Sequence, residues 1–233
     1  MAKKSITSLA AVALAFSAYA YAGPVDRAAF YQACEMSRAL PKGLFKGERR
    51  QGIERIFDYW ETTKYTDDRW LAYILGTAYR ESAGTMRPVR EGLCDTDACS
   101  IRKVTAHFGA GNISNNYALP DENGNSYFGR GLVQITHKGK YRSVSRALGW
   151  NEDLVHHPEI ALDPDKATII LVEGMAQGLF TKCSLPNKFS AATSLSDDWI
   201  KARCIVNPGS KNAKITADHG LAFYACLRPR APQ

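Results

Sequence analysis

The sequence predicts an α+β domain that is mainly helical, with one small β element beside a cleft. Three observations predict it: apolar residues recur at helical spacing in several segments, strand-forming runs are sparse, and turn residues cluster ahead of the one β-rich stretch. Ile53, Ile56, Phe57 and Trp60 follow the i, i+3, i+4, i+7 stripe of an amphipathic helix. Trp70, Tyr73, Ile74, Thr77 and Ala78 continue that spacing in a second helix that runs into Glu81. Tyr141, Val144 and Leu148 mark a third, stopped by Gly149. A fourth opens at Asp163, a good N-cap, with Pro164 in the first turn. Its inner face is Ala167, Ile170, Leu171, Gly174, Met175 and Gly178. Segments 197–204 and 216–227 also read as helical. The β element is Leu132-Val133-Gln134-Ile135-Thr136, and Pro120 through Asn125 is a turn-forming stretch ahead of it.

The chain has 233 residues and a formal net charge of +7. It opens with Lys3 and Lys4, runs apolar from Leu9 to Ala18, and then reads Ala20-Tyr21-Ala22. That is the pattern of a secretory signal peptide over residues 1–22, cleaved after Ala22. The apolar run is shorter than the roughly 20 residues a membrane span requires, so no stable membrane insertion is expected after cleavage. Residues 23–233 show no repeat, low-complexity tract or linker and read as one domain. Losing Lys3 and Lys4 lowers the charge from +7 to +5, a moderate excess that suits an anionic polymer. No Lys/Arg block interleaved with aromatics points to nucleic acid.

All six cysteines (Cys34, Cys94, Cys99, Cys183, Cys204, Cys226) lie in the exported part. An even count there predicts disulfides and an oxidising space, periplasmic or secreted. Cys94 and Cys99 are close enough to bracket a small loop, while the pairing itself stays open. No Cys-x2-Cys or His-x3-His spacing suggests zinc. The run Asp121 to Asn125 starts like a calcium loop, but its sixth position is Ser126 and its twelfth Leu132. His156-His157 reads as a solvated loop. No metal is therefore expected. Ser82, Ser143 and Ser145 lie in no Gly-x-Ser-x-Gly elbow, which speaks against a serine hydrolase.

The chemistry concentrates in two stretches, Ala78 to Glu91 and Tyr127 to Thr136. The first ends a helix on Glu81 and places Glu91 beyond Gly84 and Pro88. Two carboxylates on separate backbone elements are what glycosidic bond cleavage needs, one protonated to donate and one ionised to activate water. A helix C-terminus and apolar neighbours disfavour a charged Glu81, whereas Arg87 and Arg90 flank Glu91 and favour its ionised form. The bland alternative is a pair of surface glutamates matched to arginines. The Thr136 hydroxyl is placed to hold a water between the carboxylates. Gln134, two residues earlier on the same face of a strand, is placed to hydrogen-bond a sugar amide.

Several ordered segments between about residues 40 and 227 resemble the catalytic domain of glycoside hydrolase family 19. They are Gly43-Leu44-Phe45 with Gln51-Gly52-Ile53, Trp70-Leu71-Ala72-Tyr73, Tyr79-Arg80-Glu81-Ser82, and Met86 to Gly92. Phe128 to Thr136, Lys140-Tyr141, Pro158 to Pro164 and Ala202 to Asn207 complete the set. The resemblance implies a lysozyme-like layout, with Glu81 as general acid, Glu91 as general base and Thr136 holding the nucleophilic water. It also implies that Gln134, Tyr141 and Asn207 line the sugar-binding cleft, that the reaction inverts the anomeric centre, and that no cofactor takes part. The chain departs from the family pattern at Arg80, where histidine is common, and at His137, where glycine is.

The expected activity is cleavage of β-1,4 bonds in polymers of N-acetylated amino sugars. Peptidoglycan is favoured over chitin because Thr136 is more similar to the endolysin branch and because of the charge of +5. A chitinase is the first alternative. A glycan-binding protein that has lost turnover is the second, with Arg80 as its signature.

Overall fold

The computed structural model describes residues 24–190, 197–209 and 211–228. The predicted signal peptide lies outside the described residues. The order of elements is α1 (Arg27–Met36), α2 (Gly47–Thr62), α3 (Asp68–Glu81), β1 (Val89–Arg90), α4 (Asp97–Gly109), β2 (Arg130–Gly131) and α5 (Lys138–Ala147), followed by α6 (Asp153–His156), α7 (Pro164–Gln177), α8 (Leu185–Lys188), α9 (Asp197–Lys201) and α10 (Ala213–Leu227). Short 3-10 turns sit at Glu91–Leu93, Pro158–Leu162 and Ala202–Ile205. The fold is mainly helical with one two-stranded sheet, as expected.

Helix α3 is the centre of the domain. The Asp67 side chain caps it by accepting from the Arg69 N–H, and all residues from Leu71 to Ala78 are buried. A helix apolar on every side must be enclosed by others. Helix α10 lies against it so closely that a Cβ on Gly76 would stand 2.5 Å from the Gly220 nitrogen. The aromatic rings of Tyr73, Phe189 and Trp199 fill the space beside this crossing. Helices α2 and α7 pack on each other, and α7 also touches α3. The predicted stripe of α2 is the face that is buried: Ile53, Ile56, Phe57 and Trp60. The Asp163 carboxylate caps α7 by accepting from the N–H groups of Asp165 and Lys166, and Gly178 ends it in the left-handed conformation at φ +73°.

Helix α4 belongs to a second, smaller core in which Val104, Ala118 and Phe128 are buried with Ile101, Ile113 and Tyr117 against them. Only Ser100 and Val104 of α4 are buried, so the helix carries no sustained apolar stripe and periodicity does not reveal it. Its start is fixed covalently. Cys94 is joined to Cys99, and Thr96 caps the helix from inside that loop. The other disulfides join Cys34 to Cys226 and Cys183 to Cys204. Three disulfides fit an oxidising compartment. Among the described residues no helix is long and apolar enough to cross a membrane.

The β element differs in detail from expectation. Strands β1 and β2 pair antiparallel, Val89 with Gly131 and Arg90 with Arg130. Residues 132–136 are not an extended strand. Arg130 and Ile135 exchange backbone hydrogen bonds across a tight turn in which Gly131 stands at φ +100° and Gln134 at φ +53°. Leu132, Val133 and Ile135 are buried, so their apolar character serves core packing rather than a ladder. The reversal at Gln134 also breaks the alternation that placed Gln134 and Thr136 on one strand face.

Candidate active site

A cavity of about 290 Å³ opens where the C-terminal end of α3 meets segment 89–93 and the turn after β2. Its lining includes Glu81, Arg90, Leu93, Gln134, Arg203 and Asn207. Three of the predicted site residues, Glu81, Gln134 and Asn207, therefore share one wall system. Glu91 adjoins it, because Arg90 and Gly92 on either side belong to the lining.

Glu81 is the last residue of α3, and its side chain is only 15% exposed. Its environment is not the apolar pocket that the sequence suggests. Arg203, itself 5% exposed, brings Nη1 to 2.7 Å from Glu81 Oε1 as an ion pair, with the N–H directed off the line to the oxygen. Arg203 sits in the 3-10 turn Ala202–Ile205, which is anchored by the Cys183–Cys204 disulfide and by a hydrogen bond from the Thr181 hydroxyl to the Cys204 carbonyl. On the same face of α3, one and two turns before Glu81, Thr77 and Tyr73 have buried hydroxyls that meet no hydrogen-bond partner among the described residues. Burial pushes the Tyr73 hydroxyl up, and the charges of Arg203 and Glu81 both reach it. The neighbouring Arg80 also lines the cavity, and its charge reaches His219, which is lowered first by burial and then by Arg80.

Glu91 is held by a different set of partners from the expected arginines. Arg87 pairs with Glu48 and Arg90 with Asp97. The Glu91 carboxylate instead accepts from the Tyr117 hydroxyl at 2.7 Å and from the Gly129 N–H at 2.7 Å. Its backbone N–H donates to the Gly129 carbonyl, and its carbonyl accepts from the Ser100 hydroxyl. The carboxylate is thus fixed in orientation while each oxygen keeps a second lone pair for a water proton. Burial first, then the hydrogen bond to Glu91, raises the Tyr117 pKa, so its hydroxyl stays a donor.

Gly129 joins these groups. A Cβ there would stand 2.8 Å from Gln134 Oε1 and 3.3 Å from Glu91 Oε2, so only glycine lets both side chains approach. The Gln134 amide nitrogen is already committed, donating to the carbonyls of Val89 and Gly131. Its oxygen is what it presents at the site. The Thr136 hydroxyl donates to the Gln134 carbonyl, which leaves its lone pairs for an incoming donor. Tyr141 requires a correction. It is fully buried, and its hydroxyl donates to the Phe128 carbonyl and accepts from Arg130, so it supports the turn from behind and does not line the cavity.

Arg130 is the pin of this framework. It is 1% exposed, donates to the Ser126 carbonyl and to Asp97, and stacks over Phe128. Asp97 receives Arg90 as well, tying both strands to the start of α4. Burial works to raise the Asp97 pKa, but the hydrogen bonds from Arg90 and Arg130 outweigh it and the net shift is downward. A carboxylate with a lowered folded-state pKa contributes stability above its unfolded value, near about 4, and loses it as pH falls through the folded value. Thermal midpoints measured from neutral to strongly acidic pH should therefore show Asp97→Asn below the parent at neutrality. The gap should close below about pH 4. A constant gap would assign the loss to packing.

Strain collects around the same cavity. Among the described residues, the non-glycine positions with left-handed φ are Ala83, Met86, Leu93, Gln134, His137 and Asn151. All but Asn151 lie in the two loops that frame the site, a distribution typical of functional regions.

A mainly helical domain with a small sheet and two anchored glutamates at one cleft has the layout of a glycoside hydrolase. The family described as "Chitinase class I" matches residues 55–183, more than half of the chain, and the chain belongs to that family, glycoside hydrolase family 19. It is similar to the acidic 26 kDa endochitinase of Solanum lycopersicum, 28% identical over 86 residues, covering 31% of this chain and 34% of the relative. The acidic endochitinase pcht28 of Solanum chilense is 29% identical over 86 residues, with the same coverage of 31% and 34%. The chain thus spans about a third of the length of the curated relatives it matches. Among solved structures, chitinase C from Streptomyces griseus aligns at TM-score 0.49 and 18% identity, over 87% of this chain and 76% of that one. A second bacterial family 19 chitinase aligns at TM-score 0.39 and 15% identity, over 88% and 96%.

Proposed function

We propose that this protein is an exported, inverting glycosidase that cuts β-1,4 bonds in polymers of N-acetylated amino sugars. Glu81 is the general acid, Glu91 the general base, and Thr136 holds the attacking water. Gln134 and Asn207 contact the glycan. The observation that carries this reading is the contrast between the two carboxylates. Glu81 faces the cavity beside a buried arginine, while Glu91 is oriented by Tyr117 and Gly129 with lone pairs to spare. One group is placed to exchange a proton with a leaving oxygen and the other to orient a water. In this scheme Glu81 donates its proton to the leaving oxygen while Glu91 takes one from the attacking water.

The relatives are named endochitinases, which supports chitin as the first substrate to consider. Peptidoglycan is the second reading, supported by the charge of +5 on residues 23–233. Mass spectrometry of products from chitin hexamer and from purified peptidoglycan, each incubated with the mature protein, tests both. Short chitin oligomers would fit a chitinase, and proton NMR of the fresh products showing the α-anomer first would fit inversion. Muropeptides with new reducing ends would move the substrate to the cell wall. No product from either polymer, with binding retained, would leave a glycan-binding protein.

The role of Glu91 has its own check. Tyr117→Phe removes one oriented donor from the base without touching the fold of the cleft, so turnover should drop about tenfold with KM nearly unchanged. Unchanged turnover would mean that the Tyr117 hydroxyl does not orient the base.

A further inference from the structure

Leu93 differs from the other large apolar side chains of the region. It is 59% exposed, whereas Met86, Leu132, Val133 and Ile135 are buried. It lines the same cavity as Glu81, Gln134 and Asn207. Its backbone stands at φ +57°, a conformation that glycine or asparagine adopts far more readily than leucine. The frame around it is rigid. Gly92 precedes it at φ +74°, its carbonyl accepting from Lys103 Nζ, and Cys94 follows in the disulfide to Cys99. Nothing in the packing of the fold accounts for leucine here, since the core does not receive it.

We propose that Leu93 is a specificity-determining contact that packs against the apolar C–H face of an N-acetylated pyranose ring in the cleft. The proposal rests on the glycan reading above and deepens it. A pyranose carries hydroxyls around its rim and an apolar face, and burying that face needs an apolar partner held in place. The rest of the lining is dominated by charged and amide groups, among them Arg80, Glu81, Arg90, Gln134, Arg203 and Asn207, and Leu93 is its largest apolar side chain. The left-handed backbone, set between Gly92 and the Cys94–Cys99 disulfide, fixes where the leucine leaves the chain at the cavity wall. This is preorganisation of the contact at the expense of local backbone energy.

The test is calorimetric titration with chitin hexamer in a Glu81→Gln background, which separates binding from turnover, with Glu91→Gln as a second background. Adding Leu93→Asn, which suits the left-handed backbone, should weaken binding about tenfold while the thermal midpoint does not fall. Leu93→Met, which keeps an apolar side chain, should stay within about twofold of the parent background. Equal affinity in the Leu93→Asn protein overturns the proposal, as does failure of both backgrounds to bind the hexamer. Hydrolysis by the unsubstituted protein is read separately. Leu93-dependent binding without hydrolysis removes the glycosidase reading and leaves the contact in place.

Discussion

Glu81→Gln is expected to lower turnover about a thousandfold, the span typical of losing a positioned general acid. The substitution keeps the size of the side chain and an oxygen facing Arg203, so the cleft keeps its shape. It does not keep the charge. Arg203 is 5% exposed and faces a Glu81 side chain that is 15% exposed, so the variant leaves a buried cation without its counter-ion. A stability loss of about 1–3 kcal/mol should accompany the loss of activity. Circular dichroism at the assay temperature separates the two effects: a folded, inactive protein supports the acid role. A folded variant with parental turnover would remove Glu81 from the mechanism. Adding Arg203→Gln to Glu81→Gln should recover part of the stability and none of the activity, because it removes the stranded charge and restores no acid.

The largest effect on stability is expected at Gly52. This glycine lies on α2 where the loop after α3 crosses it, and a Cβ there would stand 1.9 Å from the Met86 carbonyl oxygen. That is backbone, and Met86 is itself held in a left-handed conformation at φ +55° by a hydrogen bond from its N–H to the Ser82 hydroxyl. Neither side can yield without moving the segment that leads from Glu81 to Glu91. Gly52→Ala should therefore cost about 3 kcal/mol or more, equivalent to a fall on the order of 10 °C in thermal midpoint. Activity should fall as well at temperatures where the protein is still folded, because the displaced loop carries the spacing of the two glutamates. A midpoint within about 2 °C of the parent would mean that the crossing is looser than this geometry.

Much of the fold was legible in the sequence because α2 buries one continuous apolar stripe and the apolar residues of α3 and α7 recur at helical spacing, which is a local signal. Helix α4 was not, since its start is set by a disulfide between cysteines five positions apart and by a cap rather than by periodicity. The site divides the same way. Glu81 and Glu91 stand in short motifs and could be found. Their partners could not: Tyr117 is 26 residues from Glu91, and Arg203 comes from another part of the chain altogether. No spacing rule links such pairs, which only tertiary packing brings together. Tyr141 shows the opposite error. It shares a helical stripe with Val144, and that pattern already marks it as a core residue, which is where the structure places it. The strand over residues 132–136 failed because β-branched residues also fill a buried turn, and composition alone does not tell the two apart.

The link between Cys34 and Cys226 spans 192 positions and ties α1 to α10. Unfolded but oxidised, the segment between these cysteines is a closed ring rather than an open thread. In the chain-entropy picture such a large loop favours the native state by about 5 kcal/mol. The ring also means that one backbone scission in a surface loop between these cysteines yields no separate fragments, since both halves stay tethered and can re-dock. A protein built this way tolerates a first cut between these cysteines and is dismantled only by a second.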